Sequence, residues 1–222
     1  MTRTTGSFSF ILLLGLFVNA AAQDPLVAKV QQRLDEQRER QSKASYSYHS
    51  LALMHTLDKQ GNVEKVDTFR SWRRYVNGSL VTDSLIYSSD ARRREREDRK
   101  DGKEGKHSQS VELPTLTDPA IECSVGSGAD GLAAISFQPR KPKGGDVAGE
   151  LLVDPASGEL RKSTFTMPKL KWPVKEFAMT LDWTEAGGLL FPSYIRMQAR
   201  WNAIVSSGRI RIETTISDIK VE

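Results

Sequence analysis

Tyr46-Ser47-Tyr48-His49-Ser50-Leu51-Ala52-Leu53-Met54-His55-Thr56-Leu57 is a twelve-residue run with neither proline nor glycine to break it. Asp58-Lys59-Gln60-Gly61-Asn62 follows, and Gly and Asn tolerate the positive φ that a chain reversal often needs. The next run, Val63 to Val76, meets Asn77-Gly78, the strongest short-range hairpin signal. Leu80 to Tyr87 is the return. The stretch therefore reads as three long antiparallel strands joined by two tight turns, and the rest of the chain extends that sheet.

Upstream, Arg3 supplies a positive start, Phe8 to Val18 an 11-residue apolar run and Ala20-Ala21-Ala22 a small-residue cleavage site. Residues 1–22 read as a signal peptide cut before Gln23, because the apolar run falls short of the roughly 20 residues a membrane span needs. This predicts a protein that is exported, periplasmic or secreted, with residues 23–222 as one domain. Asp24-Pro25 reads as a helix N-cap followed by proline at the first helical position. Leu26, Val27, Val30 and Leu34 form one apolar stripe over about three turns. Beyond Leu34 the residues are polar all round, which predicts a second half projecting into water.

Downstream, Ser88-Ser89-Asp90 reads as a capping cluster opening a charged helix and loop over about 89–110. Ala91 to His107 holds eight Lys or Arg against five Asp or Glu. Arg92, Arg93, Arg96, Arg99 and Lys100 are the candidate contacts to an anionic membrane surface or an acidic protein partner. The plainer account is a solvated helix with its charges paired at i,i+4. No aromatic residue interleaves these charges, so nucleic acid finds no stacking platform.

From Val111 the pattern returns to strands. Asp154-Pro155-Ala156-Ser157-Gly158 and Glu185-Ala186-Gly187-Gly188 are turns. Leu189, Phe191, Ile195, Met197, Ala199 and Trp201 fall on one face by alternation. Ile210, Ile212 and Ile216 lie on one side of the last strand and Ile219 and Val221 on the other, which places a bulge near Ser217. About ten strands with early helices make a mainly β (α+β) fold. A single sheet that large must curl, because strand twist accumulates, and the helix then plugs its concave side.

Phe137-Gln138-Pro139-Arg140, followed by Leu152-Val153-Asp154-Pro155-Ala156-Ser157-Gly158-Glu159-Leu160, sets a strand ending in Pro-Arg before a strand and a D-P-x-S-G-x-L turn. With the export signal, short N-terminal helix and Tyr-rich opening hairpin, this order resembles the periplasmic lipoprotein carriers LolA and LolB. The resemblance implies an open, half-closed antiparallel barrel with helices in its mouth, binding acyl chains on its concave apolar face. It assigns no residue a role.

Other chemistry is thin. Gly126-Ser127-Gly128-Ala129-Asp130-Gly131 is a literal G-x-G-x-x-G, but the short run to Pro139 after it reads as a hairpin partner, not a nucleotide-binding helix. His49 and His55 share a strand face roughly 20 Å apart, too far to hold one metal. Cys123 is the only cysteine, so no internal disulfide forms, and its apolar flanks predict burial. No catalytic signature, metal site or cofactor is expected. The expected function is non-enzymatic binding of an acyl chain, lipid or lipidated protein, lined by Phe177, Met179, Leu181, Trp183, Phe191, Ile195 and Met197. The alternative is an envelope protein-interaction module with a filled core and a basic contact helix.

Overall fold

A computed structural model of the chain describes residues 24–90, 113–203 and 206–222. Helix α1 (Pro25–Lys43) precedes ten strands: β1 (Tyr46–Leu57), β2 (Val63–Val76), β3 (Ser79–Ser88), β4 (Ile121–Ser127), β5 (Ala133–Pro139), β6 (Ala148–Val153), β7 (Leu160–Thr166), β8 (Val174–Ala186), β9 (Leu189–Asn202) and β10 (Ser207–Val221). They form one sheet in the order β3-β2-β1-β10-β9-β8-β7-β6-β5-β4, antiparallel throughout and open at its β3 and β4 edges. The last strand pairs with the first long strand, so the opening hairpin and the C-terminal meander become one surface. Residues 1–22, expected to be a signal peptide, and the Arg-rich stretch holding Arg92, Arg93, Arg96, Arg99 and Lys100 lie outside the described residues.

The turn chemistry behaves as read. Asn77 and Gly78 both take positive φ, 49° and 70°, the signature of the two-residue hairpin turn. Gly78 is required twice over, since a Cβ there would sit 2.6 Å from Ser42 Cα of the helix end. In the first turn Asp58 accepts the backbone N–H of Asn62 at 2.8 Å. Asp154 accepts from the N–H groups of Ala156 and Ser157 at 2.9 and 2.7 Å, and Gly158 closes that turn with φ 76°. The G-x-G-x-x-G segment joins antiparallel β4 and β5 through a single 3-10 turn, Ala129–Gly131. Asp218, at φ 52°, marks the expected bulge opposite the slip between Ser47 and His49.

Ser88 ends β3 and is fully buried, and Ser89 Oγ accepts the N–H of Thr68 at 2.8 Å; the charged helix expected to follow falls on residues outside the described ones. Two local readings are corrected. After the described chain resumes at 113, the first strand starts only at Ile121. The register of β8 on β9 slips between Asp182 and Trp183: Ile195 faces Leu181, whereas Phe191 faces Thr184. The even alternation from Leu189 to Trp201 is broken there.

The second half of α1 is the larger surprise. Asp24 caps its start through Leu26 N at 2.8 Å, and Val27, Val30 and Leu34 are buried as expected. Gln31 is buried as well, and its Oε1 accepts the N–H of the fully buried Leu116 at 2.7 Å. Gln37 accepts from Leu190 N at 3.0 Å, and Gln41 donates to Leu190 O at 2.5 Å. The polar half therefore projects into water on one side only, with Asp35, Arg38, Glu39, Arg40, Ser42 and Lys43 exposed, while Gln37 and Gln41 on the other side bind backbone groups at the start of β9.

Candidate functional site

Strand pairing assembles one row of side chains across nine strands: Cys123, Phe137, Gly149, Phe165, Met179, Met197, Ile212, Met54 and Asp67, each opposite the next. Directly paired residues point to the same face, so the row crosses the inner face, the one that carries α1. Gly149 sits where a Cβ would lie 2.0 Å from Thr164 O and 3.1 Å from Phe137 Cζ, and its bareness lets the Phe137 and Phe165 rings approach to 6.1 Å.

Burial changes along this row. Phe137, Phe165 and Met179 are buried in the cluster that packs under Val27, Val30 and Leu34. Leu116, fully buried, fills the same cluster from the segment between β3 and β4. Met197 is half-buried at the rim. Beyond it Ile212 and Met54 are half-buried and belong to no packed cluster among the described residues. Neighbouring positions repeat the change: Leu181 and Ile195 pack on the core, while Ile210, Ala52 and Phe69 stand outside it half-buried.

The predicted lining residues accordingly divide. Met179, Leu181 and Phe191 are core, at 5%, 6% and 3% exposure. Phe191 meets Tyr46 edge-on at 5.2 Å between ring centroids. Trp183 donates its Nε1–H to the buried Ser163 Oγ at 2.8 Å, which pins it to the core. Phe177, Ile195 and Met197 form the rim of the packed cluster. Among the described residues, the inner-face apolar positions that the packed cluster leaves out lie one to two strands further on, at Ile210, Ile212, Met54 and Ala52. The alternating isoleucines of the last strand were the available signal, but only the β1–β10 pairing turns them into a continuation of the row.

Polar groups bound these positions. On one side Tyr46 stacks on Tyr75 at 4.6 Å, with Tyr48 next at 6.1 Å. Burial, then the neighbouring Tyr48, pushes the Tyr46 phenol up to about 12, and the same two causes hold Tyr75 well above the usual phenol. Burial alone would lower Arg73, but Tyr48 and Asp83 outweigh it and hold the guanidinium above its ordinary value. Arg73 donates to Asp83 at 3.1 Å. At the end of the long row Asp67 is 4% exposed and pairs with Lys65 at 2.8 Å.

The outer face is a charged lattice. Glu213 lies 3.0 Å from Arg196, 3.4 Å from Arg211 and 3.7 Å from His55. Its carboxyl is held below the usual range, chiefly by the hydrogen bond from Arg196. A half-open polar cleft of about 370 Å³, lined by Ser47, His49, Trp72, Arg74, Asp218, Lys220 and Glu222, lies on this face. It is lined by none of the predicted site residues. Cys123 is half-buried rather than sealed; burial raises its thiol, and its Sγ donates to Leu116 O at 3.5 Å.

No family model matches the chain, and no curated protein matches it. Among solved structures, a LolA superfamily protein from Nitrosomonas europaea is similar with a TM-score of 0.38 at 10% identity, over 89% of this chain and 92% of that one. MucB in complex with MucA is similar with a TM-score of 0.32 at 9% identity, over 87% of this chain and 99% of that one. The MucA/MucB complex of Pseudomonas aeruginosa is similar with a TM-score of 0.33 at 9% identity, over 87% and 99%.

Proposed function

We propose that the protein is a non-enzymatic binder of an acyl chain, carried by a lipid or a lipidated protein, in the cell envelope. The chain would lie on the inner face over the half-buried Ile210, Ile212 and Met54, which no packed cluster among the described residues includes, with Met197 and Phe177 at the rim. One observation carries this reading: the apolar row continues for two strands past Met197, where the packed cluster ends. Burying the apolar surface that these half-buried side chains still show would contribute about 25 cal/mol per Å². The envelope location rests on the N-terminal signal pattern.

The test is uptake of a fluorescent fatty acid, with native mass spectrometry of the purified protein to detect a retained lipid. Ile212→Glu on the inner face should weaken uptake by about tenfold or more. Thr215→Glu, which pairs with Leu51 on the outer face, should leave it unchanged. Equal uptake by both variants, or none by the natural protein together with no retained lipid, overturns the reading.

A second reading has its own observation. The edge strand β3 exposes Val81, Ile86 and Tyr87, and an apolar open edge is a template for strand addition by a protein partner.

A further inference from the structure

Loops β5–β6 (140–147) and β7–β8 (167–173) lie at one end of the sheet, because antiparallel alternation brings every second connection to the same side. The helix is tied to the opposite end, where Lys29 donates to Ala156 O and Gln37 reaches Gly188 O. The two loops are locked together: Gly145 N donates to Lys169 O at 3.3 Å. The aliphatic stem of Lys171 crosses Gly144 so closely that a Cβ there would stand 2.7 Å from Lys171 Cγ.

This end is lopsided in charge. The first loop carries Arg140, Lys141 and Lys143 against Asp146, and the second carries Lys169 and Lys171 with no acid. Asp146 is committed to the backbone N–H of Lys143 at 2.7 Å. Glu176, the nearest acid in β8, is taken by Arg200 at 2.5 Å and Arg209 at 3.6 Å. Lys141, Lys143, Lys169, Lys171 and Lys175 form no ion pair among the described residues and are exposed. From their midst projects Trp172, 66% exposed and the most exposed large apolar side chain described.

We infer that this basic, Trp-tipped end docks on an anionic phospholipid surface. An indole has a large apolar body and one N–H, which suits it to the boundary between headgroups and acyl chains. Lysines on long stems beside it reach the phosphates, and each contributes near an anionic surface. A single aromatic offers no succession of stacking platforms for a nucleic acid strand. The half-buried apolar row of β9 and β10 runs toward this end, since Trp201 pairs with both Val174 and Gly208, so docking would bring that end of the inner face to the membrane. The inference stands on the loops and does not require an acyl chain on that face.

The experiment is co-sedimentation of the full chain with vesicles of phosphatidylcholine alone or with phosphatidylglycerol, at low and high salt. Binding should need the anionic lipid and fall between 0.1 and 1 M salt, as the screening length shrinks from about 10 to 3 Å. Lys169→Gln with Lys171→Gln should weaken it about twenty-five-fold, near fivefold per lost charge. Trp172→Ala should weaken it about tenfold. All three positions are exposed, so an unchanged thermal melt separates lost docking from lost folding. Ile212→Glu should leave vesicle binding intact while lowering fatty-acid uptake, which keeps the two proposals separable. Vesicle binding that ignores these substitutions, binding equal on neutral lipid, or capture of polyglutamate with no binding to vesicles each overturns the inference, the last in favour of an acidic protein partner.

Discussion

The strands from β4 to β8 and those from β3 to β1, with β10, belong to one sheet but bury their inner faces differently. On the first wing Ile135, Phe137, Leu151, Phe165 and Met179 pack under α1 and Leu116. On the second no large hydrophobic side chain is fully buried, and the inner face is finished by Tyr46, Tyr75, the Arg73–Asp83 pair and a Ser50–Ser71 hydrogen bond of 2.7 Å. Length explains the difference. A helix of 19 residues is about 28 Å long at ~1.5 Å per residue, whereas ten strands at ~4.8 Å spacing span about 43 Å. One such rod covers part of the sheet, and over the remainder the inner face is partly polar.

The sharpest way to break this contrast is a pair of truncations. Phe165→Ala should cost about 3–5 kcal/mol and Ile212→Ala roughly 1 kcal/mol, read by urea unfolding. Equal losses would mean that the second wing has a core of its own. Next, Gly149→Ala drives a Cβ against Thr164 O and should cost about 2–3 kcal/mol. Gly126→Ala in β4, with nothing within 4 Å of the new Cβ, should stay within about 0.5 kcal/mol. Gln31→Ala removes the acceptor of the buried Leu116 N–H and should cost about 2 kcal/mol, whereas Ser50→Ala on the half-buried second wing should cost under about 1 kcal/mol.

The smallest expected effect sharpens the comparison by pH. Tyr46 and Tyr75 have raised pKa values in the folded chain, so the stability linked to them is fully present below the ordinary phenol pKa near 10. It is lost as pH rises through about 12 for Tyr46. Phenolate absorbance and circular dichroism followed together should show the second wing loosening in that window. Tyr46→Phe should reduce the alkaline loss, and an identical titration in that variant would place the instability elsewhere. At the acid end, Asp58, Asp154 and Glu213 have depressed carboxyls, so what they add is present above about pH 4 and lost as pH falls below it.

Much of the architecture was readable because its signals are local. Asn77-Gly78 needs only two residues of positive φ, Asp24-Pro25 only a cap, and the phase change after Ile216 only the period of a strand. The site was less readable. Met179 and Leu181 looked like ligand lining, but α1 and Leu116 cover them. Gln31, Gln37 and Gln41 continue the helical spacing of Val27, Val30 and Leu34. That stripe was visible in principle; glutamine in it looked like solvent-facing polarity because its backbone partners are some 85 to 153 residues away.

Ordered alternately apolar runs, turn residues with the required φ and a capped amphipathic start are properties of neighbouring residues, and from them the sequence alone determined a large antiparallel sheet preceded by an N-terminal helix. Which part of that sheet packs under the helix, and which loops share an end with Trp172, depend on β1 pairing with β10 and on where the helix stops. Those are contacts between residues far apart in the chain, and only the tertiary structure decided them.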